Sequence, residues 1–261
     1  MEGITFSVFT KHWKTTPIDE LGKFLAGMGF GGVELPVRPG FQAQPESAEK
    51  DLPEIAERLK QYGVKVASVA APLDENIFAG CAAAGIPMIR IMVPMGPGGY
   101  YATVNKAKDD LRRAMPLCEK YGVKIGVQQH FGEFVSSTME MLRVVEEFDP
   151  KYIGAVWDSV HSGFAGEEPE LALEMIWENL LMVNLKAGFY RRVNGPEAYE
   201  AKWEQYLTTA RHGLSSWSRA AEYLKKNNYT GVVTLGAEYS EEDKTDIYIA
   251  QEIAYAKELF G

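Results

Sequence analysis

Short runs rich in β-branched and aromatic residues recur along the chain: ITFSVF (4–9), GGVELP (31–36), VKVASVAA (64–71), MIRIMVP (88–94), KIGVQQH (124–130), IGAVWD (153–158), LMVNLKA (181–187) and GVVTLGAE (231–238). Between them lie stretches such as PIDELGKFLAGMG, ESAEKDLPEIAERLKQYG and VNKAKDDLRRAMPLCEKYG. In these, apolar residues return at every third or fourth position, and glycine closes each segment. The first pattern predicts buried strands and the second amphipathic helices. Strands alternating with helices predict parallel strands joined by crossovers, an α/β fold. Eight such units in 261 residues fit a closed (β/α)8 TIM barrel. An open doubly wound sheet is the structural alternative, but nothing in the pattern marks a reversal of strand order. No linker or low-complexity segment interrupts the pattern, so residues 1–261 are read as a single domain.

Some segments break the rhythm. AGMGFGG (26–32) has the glycine density of a dinucleotide-binding turn. It closes a helix and opens a strand, the reverse of the order that sets a helix N-terminus against a pyrophosphate, so it is read as a turn. MGPGG (95–99) follows the fourth run and is either an ordinary loop or a phosphate cradle of backbone N–H groups. The connection after the seventh run, AGFYRRVNGPEAYEAKWEQYLTTARHG, is longer than the other joins. Residues 188–212 are therefore expected to form either a lid or a helical excursion.

Composition narrows the function. A net charge of −9 argues against a nucleic-acid partner. No basic run suggests a membrane surface, and no apolar stretch reaches the length of a transmembrane helix. The opening MEGITFSVFT lacks the basic region and long apolar core of a secretory leader, and Cys81 and Cys118 have no CxxC spacing. A cytoplasmic setting is expected, with a homo-oligomer formed through the helical exterior.

In such a barrel the C-terminal strand ends converge on one pocket. Here they carry Lys11, His12 and Trp13, then Glu34, Gln128 and His130, Asp158 with His161, Asn184 and Lys186, and Glu238. Alternate residues of a strand share a face, which pairs Gln128 with His130, Asn184 with Lys186, and Gly236 with Glu238. Each residue has a chemical reading beside a plainer one. Glu34 could bind sugar hydroxyls or serve as a cap or ion-pair partner, and Gln128 and His130 could touch substrate or support the strand ends. Lys186 could stabilise a developing enolate oxygen, form a Schiff base, or pair with Asp158. In the long connection Arg191 could hold an anionic group and Trp203 could stack on a sugar face, as Trp13 could from the first loop. The alternative for all three is a solvated or structural side chain.

The Q-x-H after the fifth run, W-D-x-x-H after the sixth, N-x-K after the seventh and A-E-Y-S after the eighth resemble the xylose isomerase-like TIM barrels, the group of sugar phosphate isomerases/epimerases and ketose 3-epimerases. That resemblance implies a site in which Glu, Asp, His and Glu from the last strands hold one divalent ion while the two glutamates move protons. Position by position, this chain carries Gln128 for the first glutamate, Asp158 and the following His161 unchanged, and Asn184 for the metal-binding histidine. The final glutamate falls on Gly236, or on Glu238 if the strand end bulges. Asp158 and Glu238 then remain as metal ligands, a weak site for Mn²⁺ or Mg²⁺ whose alternative is no metal at all. The family's DNA-repair members need more histidines than His12, His130, His161 and His212 supply.

The expectation is a sugar or keto-sugar isomerase or epimerase, with Glu238, Lys186 and His161 in catalytic roles and a small-molecule sugar as partner. The alternatives are a keto-sugar lyase or hydratase that needs only one carboxylate base, and a non-catalytic sugar-binding or partner subunit.

Overall fold

The computed structural model describes residues 3–261. The chain runs β1 (Ile4–Phe9), α1 (Ile18–Met28), β2 (Gly32–Pro36), α2 (Ala48–Lys60), β3 (Lys65–Ala70), α3 (Glu75–Ala84), β4 (Met88–Met92) and α4 (Gly99–Tyr121). It continues through β5 (Lys124–Gln128), α5 (Thr138–Val145), β6 (Ile153–Asp158), α6 (Ser159–Phe164), α7 (Pro169–Ile176) and β7 (Leu180–Leu185). After β8 (Ala187–Arg192) and β9 (Trp203–Thr208) come α8 (Trp217–Lys226), β10 (Gly231–Leu235) and α9 (Thr245–Phe260). The parallel strands β1 to β7 and β10 close into a barrel, sealed where Ile4 of β1 pairs with Gly231 of β10. This is the (β/α)8 architecture read from the alternating pattern.

Local chemistry sets the element ends. Gly29 takes φ +87°, a left-handed cap that ends α1, so the AGMGFGG cluster is the expected turn. Ser137 and Glu140 cap α5 reciprocally, each side chain accepting from the other's backbone N–H. Residues 95–98 form a loop in which the Gly96 N–H donates to Thr103 Oγ1 at 2.8 Å. Among the described residues no helix is long and apolar enough to cross a membrane.

The main core lies between barrel and helices, where Trp157, Phe78, Trp217 and Phe260 are fully buried. Inside the barrel, Met88, Val156 and Met182 form a separate apolar plug. Gly126 makes room for it, since a Cβ there would stand 2.6 Å from Val156 Cγ2 and 2.9 Å from Met88 Sδ. Two residues further along the same strands, on the same inward face, stand Arg90, Gln128, Asp158 and Asn184. Ser68 and Thr234 touch the Met182 sulfur at 3.7 and 3.5 Å and mark the boundary. The interior is thus apolar below and polar above, and the polar layer is the floor of the site.

Of the two readings of the long connection, lid or helical excursion, the helical one does not hold: β8 and β9 form an antiparallel hairpin, with Phe189 opposite Tyr206. Its segments, AGFYRR and WEQYLT, are rich in the aromatic residues that strands favour. Hydrogen bonds between Leu207 and Ser240 hold the hairpin to the β10 exit, and Tyr190 packs on Phe164 of α6.

Helices α2 and α3 meet at Gly80, where an added Cβ would lie 2.5 Å from the Ala48 carbonyl oxygen. Gly80→Ala should cost about 1–3 kcal/mol through overpacking, more than the roughly 1 kcal/mol it gains in helix propensity. Urea unfolding checks this, and an unchanged or higher midpoint would contradict the close approach.

Candidate active site

The polar layer opens into a cavity of about 80 Å³ whose wall includes Glu34, Arg38, Arg90, Gln128, His130, Asp158, Asn184, Lys186, Gly236 and Glu238. Its centre is Lys186. That residue stands between β7 and the hairpin, where its backbone is pinned from both sides. Its N–H donates to Ser159 Oγ at 2.9 Å, and its carbonyl accepts from Ser159 Oγ at 2.6 Å and from Trp217 Nε1 at 3.0 Å. The side chain crosses the position of Gly236 so closely that any Cβ there would overlap its Cγ and Cδ. The ammonium donates to Glu238 Oε2 at 2.8 Å.

Glu238 reaches this position because Ala237 adopts φ +47°, a left-handed conformation unusual for a residue with a Cβ. The chain therefore turns just beyond β10, which ends at Leu235. Gly236 supplies space, and Glu238 supplies the carboxylate. Lys11 Nζ holds the other oxygen at 2.7 Å. Burial alone would raise the Glu238 pKa, but the Lys186 and Lys11 charges outweigh it and hold the carboxyl well below the usual range. Burial likewise opposes the charge on Lys186, but Glu238 and then Asp158 overcome it and raise its pKa. Both groups are ionised at neutral pH, which leaves Glu238 a poor proton acceptor and Lys186 unsuited to Schiff-base attack.

Asp158 is fully buried. Its Oδ2 accepts from Gln128 Nε2 at 2.8 Å and its Oδ1 from the Val160 N–H at 3.1 Å, capping α6. Burial raises its pKa to about 6, against the opposing pull of Lys186 and the Val160 N–H. The Gln128 amide must turn its N–H toward this carboxylate, so its Oε1 is left unpartnered, as are Glu34 Oε2, Asn184 Oδ1 and His161 Nε2.

The two histidine rings meet at a tilt of 43° with centroids 4.3 Å apart, and both stay neutral. His161 is fully buried, and that burial pushes its pKa well below 6.5. Its Nδ1 accepts from the Phe131 N–H at 3.4 Å, so the proton sits on Nε2, 3.6 Å from Asp158 Oδ2. His130, half-buried, has its pKa lowered mainly by burial. Its Nδ1 lies 2.8 Å from the Phe131 carbonyl oxygen, which can only accept, so Nδ1 carries the proton and Nε2 keeps a free lone pair. The pair thus offers one N–H donor and one base.

Most sequence-derived candidates converge here: Glu34, Gln128, His130, Asp158, Asn184, Lys186 and Glu238 line the cavity, with His161 directly behind. Three do not. Trp13 is buried against Phe24, with its Nε1 donating to Asp246 at 2.9 Å, and serves as a core wedge. Arg191 pairs with Glu204 and lies over the Tyr206 ring on the exposed hairpin, and Trp203 at its far end is 61% exposed. The pattern reading missed Arg90 and Arg38. Arg90 Nε donates to Glu34 Oε1 at 2.7 Å inside the barrel, with the Phe9 ring 5.0 Å from its guanidinium. A charge in the middle of MIRIM, on the inward parity, was the signal.

The donor set does not fit the divalent ion that the resemblance implies. Among the described residues no group of three or more His, Cys, Asp or Glu side chains could hold a metal. Both Glu238 oxygens are engaged by ammonium groups, and Asp158 faces the amide N–H of Gln128 rather than presenting a shared edge with it. A cation between these carboxylates would sit against Lys186.

A family profile for the xylose isomerase-like TIM barrel matches residues 23–259. Among curated proteins the chain is similar to an inosose dehydratase of Bacillus cereus (strain AH820), 29% identical over 139 residues, covering 51% of this chain and 47% of that protein. The chain thus spans about half the length of the curated relatives it matches, 42% for an inosose dehydratase of Mesomycoplasma hyopneumoniae (strain 7448). Two solved structures share the fold over nearly the whole of both chains. They are the D-psicose 3-epimerase of Clostridium cellulolyticum H10 (TM-score 0.75, 11% identity, covering 98% of this chain and 99% of that one) and the probable 3-DHS dehydratase AsbF of Bacillus anthracis (TM-score 0.71, 14% identity, 97% and 98%). A third, the IOLI protein, carries a bound zinc atom (TM-score 0.71, 14% identity, covering 98% of this chain and 96% of that one).

Because Asp158 holds its proton up to about pH 6 when folded, against an ordinary 3.8, folding takes up a proton between those values. The stability this confers is complete below about pH 3.8 and lost as pH rises through 6, on the order of 3 kcal/mol. Urea stability measured from pH 4 to pH 7 should therefore fall more in the wild type than in Asp158→Asn. Parallel curves would contradict the assignment.

Proposed function

The chain belongs to the xylose isomerase-like TIM barrel family, and on that premise we propose that its rim pocket binds a polyhydroxylated ketone and eliminates water from it. Support for such a ligand comes from the buried acceptors Glu34 Oε2, Gln128 Oε1 and Asn184 Oδ1, which ring a cavity with no protein donor to meet them. Buried acceptors are costly to leave unpaired, and sugar hydroxyls would satisfy them. The cavity is well below the ~300 Å³ of ordinary ligand sites. A sugar enters when the half-exposed Lys11 side chain swings off Glu238.

Elimination is favoured over isomerisation or epimerisation by one observation: the site has a single free base. A shuttle between two faces of a carbon needs a second. Gln128 cannot take a proton, Asp158 already accepts from Gln128 and the Val160 N–H through its two oxygens, Glu34 is paired with Arg90, and Glu238 is held ionised by two ammonium groups. His130 is neutral and lines the cavity, and its Nε2 lone pair is free. In the proposed step it removes the proton on the carbon next to the carbonyl, and the carbonyl oxygen takes the negative charge against the Lys186 ammonium. The enolate then re-forms the carbonyl, the carbon–oxygen bond one carbon further breaks, and the leaving hydroxide takes the proton back from His130 as water. An α,β-unsaturated ketone remains. Glu238 keeps Lys186 charged and in place, and His161, behind the cavity wall, turns its Nε2–H toward Asp158 and supports His130. The names of the inosose dehydratase relatives agree with this reaction class, and those of the epimerase structures keep epimerisation as the second reading.

Incubation with inosose and with D-fructose in D₂O separates the readings. Loss of one water mass with growth of enone absorbance is the expected result for the keto-polyol. His130→Ala should lower kcat/KM by roughly 10²–10⁴ and Lys186→Met by roughly 10²–10³. The wild-type rate should fall as pH drops below the His130 pKa, which lies under 6.5. Deuterium incorporation without water loss would favour the epimerase reading. Neither change, with the sugar nonetheless bound, would make the protein a non-catalytic binder.

A further inference from the structure

The charges around the cavity do not balance. Its wall carries the cations Lys11, Arg38, Arg90 and Lys186 against the carboxylates Glu34, Asp158 and Glu238. Every carboxylate has a partner. Glu238 holds Lys11 and Lys186, Glu34 holds Arg90, and Asp158 is bonded by Gln128 and the Val160 N–H. Arg38 is the remainder. It is half-buried, and it forms none of the ion pairs among the described residues, Glu238 and Glu34 acting on its charge only from a longer range.

The backbone that carries Arg38 is fixed. Its N–H donates to the Ala43 carbonyl at 3.1 Å, its own carbonyl accepts from Phe41 at 3.1 Å, and Val37 pairs with Ala43 in a bridge. The second arginine, Arg90, is held by Glu34 through Nε alone, with the Phe9 ring beside it, so its two terminal nitrogens have no hydrogen-bond partner among the described residues. Two guanidinium groups of like charge thus line one small, partly desolvated space. That arrangement is costly when empty and offset by an anion between them.

We propose that Arg38, with Arg90 behind it, is a subsite for a carboxylate, so that the substrate of this pocket is a keto-sugar acid rather than a neutral keto-sugar. The planar fork of arginine matches the two oxygens of a carboxylate. The cavity's small size favours that flat group over a tetrahedral phosphate. The proposal rests on the sugar-binding reading above and adds the identity of the charged group. It also accounts for the missing metal ligands from the ligand's side: an acidic substrate brings its own negative charge into a site whose surplus is positive.

Calorimetric titration of the wild type, Arg38→Met and Arg38→Lys with four probes tests it. The probes are D-glucuronate, D-glucose, D-glucose 6-phosphate and L-lactate. Thermal melting confirms that each variant is folded, as expected for a side chain with no protein partner. D-Glucuronate should bind the wild type about tenfold or more tighter than D-glucose, and Arg38→Met should erase that preference while leaving D-glucose unchanged. Arg38→Lys should retain only part of it, because a point charge lacks the fork.

Equal affinity for glucuronate and glucose, or a preference that survives Arg38→Met, would overturn the carboxylate subsite and leave the sugar reading standing. A preference for the 6-phosphate alone would overturn it in favour of phosphate. Arg38-dependent binding of lactate with no binding of any sugar would uphold the subsite and sink the sugar reading. No binding of any probe would sink both.

Discussion

The site is organised by the burial of one ammonium group. Lys186 is 8% exposed, and its charge survives because Glu238 stands 2.8 Å away and Asp158 lies in the same layer. Several otherwise separate features follow from it. Gly236 has no side chain because the lysine stem runs through that space, and Ala237 takes a left-handed conformation that brings Glu238 back toward the ammonium. Ser159 and Trp217, the first residues of α6 and α8, both bind the Lys186 backbone, so the helices on either side of β7 are referenced to this residue. A buried ion pair of this kind contributes little net stability, whereas removal of one partner costs about 3–5 kcal/mol. Its value lies in a fixed positive charge at a defined place.

Above the Met88–Val156–Met182 plug the barrel becomes a layer of paired charges and partly satisfied amides. Each pairing settles what a group can do. Arg90 neutralises Glu34, the lysines keep Glu238 ionised, and burial leaves Asp158 with a raised pKa and both histidines neutral. The opposed tautomers of His130 and His161 then divide base from donor. Lysine thereby places a fixed positive charge at the centre of the polar layer.

The barrel was legible because parallel strands and amphipathic helices have distinct periods, and parity along each strand assigned Gln128, Asn184, Lys186 and Glu238 to the pocket face. The departures at Gln128 and Asn184 were equally plain in the sequence, whereas the choice between Gly236 and Glu238 stayed open. What parity could not supply was pairing over distance. Arg90 hides in an apolar run, and its partner Glu34 lies 56 residues earlier. Arg38 sits just beyond a strand, where alternation no longer predicts direction. Trp13, Arg191 and Trp203 were drawn to the pocket by residue type, but loop direction depends on contacts such as Trp13 with Asp246 and Arg191 with Glu204, which no local pattern encodes.

The most direct test of the account is a Mn²⁺ titration, followed by electron paramagnetic resonance, of the wild type and of Lys186→Ala. If the ammonium holds the place a metal would take, the wild type shows no saturable Mn²⁺ binding, and the variant, left with Asp158 and Glu238 facing an open space, gains it. Stoichiometric binding by the wild type, unchanged when Lys186 is removed, would contradict the account and return the site to metal chemistry.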